Sequence, residues 1–534
     1  MVYTGEKISI GLGQDGLTGN VNLSQVSPSR LLEANNITYE NGTLQKEGGA
    51  ELYTDAAIGG TPEVIGGWDW DHDGVSQRAI VMTSAGTILK DSGGGTFGDT
   101  LKSGLTASDV VPIFVEGGKE GAALDRKLFI FTGKNAVQVL AADGATTSDL
   151  ATPPADWASG NPSFGLNHED RIWGGGNTND PHRLYYSTTT DHEGFTGTGS
   201  GSLSVFPGEG ERLVAAVSFK GIVIAAKFPK GLYVVDTTDV TVSNWRVDRL
   251  TDKIGAQNGL MMFLISDDVI MMDTSGNVHL VSAALEFGNF LNSSLSDAQD
   301  MGPFIRRNIN LSGLGLVQGI FYEAKRQVHF AVPGIGSSIP ERRLVVDFNR
   351  PDFPRFRFSD FDSSRSIWLY KDPDGIPRPR IGSAGGEVFN LDTTARSLEF
   401  LVGSVVNTQG YEGKFRTSSD DFSRADPALG TLRKNGSFLE LVVEPTGDWN
   451  LSVDILWDDE VTQTVQFNLG TTGATLGSFT LDTDKLANDR VTNKRQRITG
   501  GGRRFAIAGR NSGDAQDFSI AEAILYYKRS NERL

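Results

Sequence analysis

One local pattern recurs along the chain and constrains it more than any single motif: an apolar, β-branched run, a short connection holding Gly or Asn, then a second such run. It stands at residues 79–90 (AIVMTSAGTILK), 127–140 (KLFIFTGKNAVQVL), 221–236 (GIVIAAKFPKGLYVVD), 269–280 (VIMMDTSGNVHL) and 380–392 (RIGSAGGEVFNLD). Looser copies lie around Arg171-Ile-Trp with Arg183-Leu-Tyr-Tyr-Ser187, and at 327–332 with 343–347. Two β-prone runs around a Gly-containing connection read as a hairpin. The hairpins start roughly 44–58 residues apart, near the ~40–50 residues of a four-stranded propeller blade. A ring closed from such blades has no exposed sheet edges, which sandwich domains in series would leave. The expected fold is therefore all-β: a β-propeller of roughly seven irregular blades over residues 61–396.

After Ala395 the pattern changes. Leu451, Val453, Ile455 and Trp457 alternate with other residues, and Phe518, Ile520, Ile524 and Tyr526 share one parity of a later run. Alternation of period two marks half-buried antiparallel strands, so residues 397–534 are expected to form a C-terminal β-sandwich of jelly-roll type. Residues 1–60 show too little apolar periodicity for a core of their own and are expected to lie on the propeller as an N-terminal arm.

Composition agrees and excludes several classes of function. Glycine makes up 65 of 534 residues, about 12% against an average near 7%, as expected of many tight turns and few long helices. No window reaches the ~18 uninterrupted apolar residues of a spanning helix, and Met1-Val-Tyr-Thr-Gly-Glu-Lys7 shows no secretory pattern. There is no cysteine, which excludes disulfides, thiolate nucleophiles and Cys-bound metals. A net charge of −17 argues against bulk attraction to nucleic acid, which needs a cationic surface.

The motifs with chemical potential are weak. Gly11-Leu-Gly13-Gln-Asp-Gly16 matches a dinucleotide fingerprint, but no helix pattern follows to receive a pyrophosphate, and a turn is expected. Asp69, Asp71 and Asp73 alternate ahead of Gly74 like the start of a calcium loop, yet the twelfth position is Ile80, not Glu. They are the one candidate metal set. His182, Asp191, His192 and Glu193 cluster without a metal-ligand spacing, and His72, His168, His279 and His329 are scattered. No G-x-S-x-G elbow is present. Paired carboxylates are abundant enough for a glycosidase, but no sialidase-type S-x-D-x-G-x-x-W box occurs. The basic residues Lys494, Arg495, Arg497, Arg503, Arg504 and Arg510, with Arg306, Arg307, Arg342, Arg343, Arg355 and Arg357 earlier, are solvated strand faces or contacts to an acidic neighbour.

Several phrases carry a resemblance. Residues 16–49 include Val26-Ser-Pro-Ser-Arg-Leu-Leu-Glu-Ala-Asn35 and Asn41-Gly-Thr-Leu-Gln-Lys46-Glu-Gly-Gly49. They read as an N-G-x-L-x-[KR]-x-G turn ahead of a propeller. With them go Arg183-Leu-Tyr-Tyr-Ser187, Lys227-Phe-Pro-Lys-Gly-Leu-Tyr233, Tyr411-Glu-Gly-Lys-Phe-Arg-Thr417, and the C-terminal stretches 501–507 and 518–527. Together these resemble the tail nozzle (hub) proteins of short-tailed bacteriophages. The resemblance implies a structural virion protein, not an enzyme, in a homo-hexameric ring around the DNA exit channel. It implies a tail adaptor and tail fibres or spikes as partners, double-stranded DNA in transit without specific binding, and no cofactor. Assembly in the bacterial cytoplasm is expected. The alternatives are a receptor- or glycan-binding propeller at a tail tip and a polysaccharide-degrading glycosidase.

Overall fold

The computed structural model describes residues 6–20, 26–71, 77–118, 126–141, 143–208, 210–281, 294–350, 354–402, 405–470 and 491–533. The chain is all-β apart from short helical turns such as Leu295–Ala298 and Gly302–Asn308. It divides into two compact units, one of Leu52–Asn349 with Asp362–Leu391, the other of Met1–Glu51, Arg350–Phe361 and Asp392–Leu534.

The first unit is a β-propeller. Val64–Asp71, Gln77–Thr83, Ile88–Lys90 and Asp99–Lys102 pair in sequence order as a four-stranded antiparallel sheet. Sheets of the same plan begin at Ile113–Gly118, Phe164–His168 and Arg212–Phe219. Met262–Ile265, Asp268–Met272 and Val278–Leu280 form a three-stranded sheet. Gln318–Tyr322, Gln327–Pro333 and Pro340–Asp347 are paired in order, and Ser366–Lys371, Pro377–Gly382 and Val388–Thr393 follow. The first strand of each set packs on the first strand of the next, and Ser366–Lys371 packs on Val64–Asp71. That last contact closes the ring.

Burial on both faces explains why the repeat reads as apolar runs and not as alternation. Within Gln77–Thr83, Ile80 and Met82 pack with Phe114, Leu128 and Ile130 of the following sheet. Val81, between them, packs with Trp368 and Val388 on the other face.

In the second unit one sheet runs Ile37–Glu40, Thr43–Lys46, Ser519–Arg533, Leu432–Glu444, Thr492–Arg497, with Glu6–Ile10 also on Ser519–Arg533. Another runs Arg355–Ser359, Leu31–Asn35, Gly413–Thr417, Phe505–Asn511, Asn450–Trp457, Glu460–Asn468. Leu398–Val402 and Val405–Gln409 form a hairpin. Leu451, Val453 and Ile455 are buried, as their alternation predicts.

Two expectations change here. Residues 1–51 fall in the same unit as 392–534, because their short strands complete C-terminal sheets: Ile8 pairs with Leu525 and Ala34 with Phe415. Strands that add to an existing sheet need no core of their own, which is why this stretch looks so weakly apolar. Secondly, Phe518 and Ile520 are buried, but the buried positions then move to Ala523, Leu525 and Tyr527. The register against Leu432–Glu444 shifts between Val442 and Val443. Such an irregularity carries an extra residue and swaps the inward face, turning Ile524 and Tyr526 to the half-buried side.

Candidate functional site

The first strands of neighbouring sheets pack side by side around the ring, and a cavity lies toward each end of them. Where the strands begin, a cavity of about 520 Å³ is lined by Asp109, Lys134, Arg212, Asn258 and the backbone of Gly313 and Gly315. Where they end, a cavity of about 670 Å³ is lined by Trp68, Asp71, Glu116, Phe263, Phe321 and Tyr370, among others. The wider one combines aromatic faces with carboxylates and is the candidate site.

Its floor is built around Asp69, at the point where the ring closes. Gly67 lets the Trp368 ring lie against the backbone: a Cβ there would sit 2.7 Å from the indole. Held in this position, the Trp368 Nε1–H donates to Asp69 at 3.0 Å. Arg380 donates to both oxygens of Asp69 at 3.0 and 2.9 Å. Its guanidinium lies 3.7 Å from the Tyr53 ring centroid and 4.1 Å from that of Tyr370, a cation–π arrangement that strengthens as water is excluded. Burial pushes the Asp69 carboxyl above its ordinary range, opposed by Arg380 and by the Trp368 hydrogen bond. Burial and the hydrogen bond to Asp91 also raise the Tyr53 hydroxyl. On the wall, the Trp68 indole N–H donates to Glu116 at 2.8 Å. Two ring faces with carboxylates on the rim can hold a ligand by stacking and hydrogen bonding.

The candidate calcium loop looks different in this setting. Asp69 faces Arg380, and Asp71 lies 3.4 Å from Arg126. Each carboxylate thus has its own guanidinium. Asp73 lies outside the described residues, and among those described no three His, Asp or Glu converge as a metal set.

The histidines join neighbouring strands and sheets. His168 sits between the Ser218 and Thr237 hydroxyls at 2.8 and 2.7 Å, and burial lowers its pKa to about 4. His182 lies 3.2 Å from the Lys227 ammonium, which with burial pushes its pKa down. His192 accepts from the Gly118 N–H at 2.8 Å, while Glu193 pairs with Lys127. The cluster around 182–193 is therefore spread over separate contacts. His279 meets Asp273 at 3.0 Å and His329 meets Arg343 at 2.8 Å. His72 lies outside the described residues.

Most of the basic residues singled out above are engaged within the chain. Arg343 pairs with Asp362, both fully buried, Arg357 with Glu47, Arg495 with Glu440, and Arg510 with Asp454. Arg503 donates to the Gly430 carbonyl. The glycines of the dinucleotide-like phrase form a turn, with Gly16 N–H donating to Gly13 O at 2.8 Å. Sequence reasoning missed Trp68, Trp368, Tyr370 and Arg380. No local signal marks them, because Asp69 and Arg380 are brought together only by ring closure across 311 positions.

The N-terminal and Tyr411 phrases behind the resemblance have structural roles in the second unit. Asn41 and Gly42 take positive φ of 50° and 82° in the two-residue turn between Glu40 and Thr43, the geometry that favours Asn-Gly in tight hairpins. Leu44 is buried. Lys46 is buried too, its ammonium 3.0 Å from Gln516 O and 4.2 Å from the Tyr411 ring centroid, and burial brings its pKa to about 8. Tyr411 donates to Glu47 O and stacks on Phe361, and Asn36 donates to Glu412 O at 2.8 Å. The N-terminal phrase and the Tyr411 phrase thus lock onto each other.

No protein-family model matches the chain, and no curated protein matches it. Among solved structures it is similar to YCF48 bound to D1 peptide, at 12% identity over 67% of this chain and 98% of that one, with a TM-score of 0.41. It is also similar to BamB from Moraxella catarrhalis, at 13% identity over 73% and 100%, with a TM-score of 0.38. A third is U3-55K, at 9% identity over 64% and 98%, with a TM-score of 0.39. The propeller assignment itself rests on the strand order above.

Proposed function

We propose that this chain is a structural protein of a bacteriophage tail, a nozzle or hub that forms a homo-oligomeric ring, a hexamer, around the DNA exit channel. In this reading it docks adaptor and tail fibre or spike components and has no catalytic role. The observation that carries it is the mutual lock of Asn36, Lys46, Glu47 and Tyr411. The residues of the resemblance touch one another in the fold, which supports reading them as one motif. A seven-bladed ring belongs to this reading, and the first strands that neighbour one another in sequence order support it. The two long sheets of the second unit, with Leu439, Leu441, Val453 and Ile455 buried, support a sandwich there.

The net charge of −17 fits a conduit. DNA passes an acidic wall by repulsion, whereas a cationic wall would hold it. Among the described residues no helix is long and apolar enough to cross a membrane. Negative-stain images of the purified protein test the proposal. Sixfold rings with a central hole support it, and a monodisperse monomer refutes it.

The cavity floored by Asp69 favours one second reading, a receptor- or glycan-binding propeller. That reading predicts saturable oligosaccharide binding abolished by Trp68→Ala, and it fails if a glycan array shows none.

A further inference from the structure

The cavity of about 520 Å³, where the first strands begin, differs in character from the wider one. Around Asp69 the polar groups are already bonded to one another, through Trp368 and Arg380. The narrower cavity is lined by Lys134, Ser163, Arg212 and Gln257. Among the described residues, none of these four side chains has a hydrogen-bond or ion-pair partner. Lys134 follows the strand Arg126–Phe131, Ser163 precedes Phe164–His168, Arg212 opens Arg212–Phe219, and Gln257 precedes Met262–Ile265. Four different sheets thus present free donors to one space.

The cations are the informative part. Carboxylates outnumber cations in this chain, 66 against 49, and other arginines of the propeller are met by one: Arg183 by Asp180, Arg246 by Asp236, Arg378 by Asp372. Arg212 instead lies over the Phe228 ring, 5.5 Å from its centroid, and the two residues are direct cross-strand partners. Stacking holds the planar guanidinium and leaves its N–H groups free. Just beyond it the register shifts between Leu213 and Ala215, and Val214, within the shift, lines the cavity. Irregularities of this kind re-aim side chains beside binding sites. Ser163 is accommodated by a glycine, since a Cβ at Gly176 would lie 2.2 Å from its Oγ.

Asp109 is the single carboxylate of this lining, and the Ser108 hydroxyl donates to it at 3.2 Å. Two cations against one carboxylate leave the cavity positive, in a chain whose net charge of −17 repels anions elsewhere. An unpaired guanidinium fork matches two oxygens of a carboxylate or phosphate. A hydroxyl and a primary amide each donate and accept, which suits the hydroxyls of a sugar. The volume lies within the ~300–1,000 Å³ of small-molecule sites. We infer that this cavity binds a small hydroxylated oxyanion, a sugar acid or sugar phosphate, with its charged group on Arg212 and Lys134 and its hydroxyls on Ser163 and Gln257. The inference stands apart from the tail reading and from the glycan reading of the wider cavity.

Calorimetric titration of the full chain with glucuronate, glucose 6-phosphate, inorganic phosphate and neutral glucose tests it. One or both sugar anions should bind saturably at a single site, and glucose at least about tenfold more weakly. Binding of one sugar anion alone supports the inference and names the charged group. Arg212→Met and Lys134→Met should each weaken that binding by about tenfold or more. Arg246→Met, at an exposed arginine with its own carboxylate, should bind like wild type. Gln257→Leu should weaken the sugar anions and leave inorganic phosphate unchanged. Thermal melting checks that each variant is folded; if Arg212→Met is not, Lys134→Met, on a connecting loop, decides. Three results would each overturn the inference: neither sugar anion binds, glucose binds as tightly as they do, or both cation variants bind like wild type. Inorganic phosphate held as tightly as glucose 6-phosphate would overturn the hydroxylated class. All of these results leave the ring and the wider cavity to their own tests, by negative stain and glycan array.

Discussion

Replacing Arg380 with Met should destabilise the propeller in a pH-dependent way, and the dependence can be worked from the geometry. Met fills much of the space between Tyr53 and Tyr370 but removes the guanidinium from both oxygens of Asp69. An isolated carboxylate left in a buried site costs about 3–5 kcal/mol. The carboxyl can escape that cost by taking up a proton, which sets a ceiling. With an unfolded pKa near 3.9 and about 1.4 kcal/mol per unit, protonation costs about 4 kcal/mol at pH 7 and about 1.5 kcal/mol at pH 5. The lost cation–π contacts add a further part, about 1–2 kcal/mol, that does not change with pH.

The sign is fixed by linkage. In the variant the folded state holds a proton on Asp69 more tightly than the unfolded state does, so stability falls as pH rises from about 4 through the raised folded pKa. The loss relative to wild type should therefore be larger at pH 7 than at pH 5, by at most about 2.5 kcal/mol, since the raised Asp69 of the wild type already carries part of this dependence. A two-unit chain need not unfold in one step, so the readout is local. Native-state hydrogen exchange of the paired strands Val64–Asp71 and Gln77–Thr83, corrected for intrinsic rates, gives the opening free energy at each pH. The double variant Arg380→Met with Asp69→Asn should lose the pH-dependent part and keep the rest. Equal losses at the two pH values would refute the reasoning, because they would mean that Asp69 carries no charge that Arg380 compensates.

The remaining predictions concern contacts between adjacent sheets. His168 has its pKa depressed from 6.5 to about 4 by burial, so its contribution is present above pH 6.5 and is lost as pH falls toward 4, at most about 3 kcal/mol. His168→Gln should flatten the thermal-melt slope between pH 6.5 and 4.5; an unchanged slope counts against the assignment. Gly67→Ala brings a methyl to 2.7 Å from the Trp368 ring and should cost about 1–3 kcal/mol. Trp368→Phe should relieve part of that cost in the double variant, and additive losses would argue against the contact.

The propeller was legible because its sheets are buried on both faces, which writes each blade as an apolar run at near-constant spacing. The division into units was not legible, since it depends on which strands pair across hundreds of residues. Leu31–Asn35 finds Gly413–Thr417, and Glu6–Ile10 finds Ser519–Arg533. Parity failed after Ile520 for a local reason: one shift of register reverses the faces, and composition does not mark where it falls. The site was legible only in its first residue. Asp69 stood out for its spacing with Asp71, but its partners Trp368 and Arg380 come from the far end of the ring.

The glycine excess has two physical sources that composition alone merges. Some glycines make turns at positive φ, as at Gly42 and Gly276, and these are the positions that the recurrent hairpins account for. Others lie within strands and have no Cβ because a neighbouring sheet occupies its place. A Cβ at Gly165 would lie 2.2 Å from Phe131 of the preceding sheet, and one at Gly67 would strike Trp368 across the closure. A glycine inside an apolar strand is ordinarily a weakness, since it packs nothing and loses the most entropy on ordering. Here each of these two receives a large aromatic ring, so the burial gained by the ring sets against the entropy spent on the glycine. At these two junctions the packing is encoded in a pair, a glycine on one sheet and an aromatic on the sheet before it in the ring. At the closure that pairing also sets the Trp368 N–H against Asp69, so the contact that seals the ring builds the floor of the wider cavity.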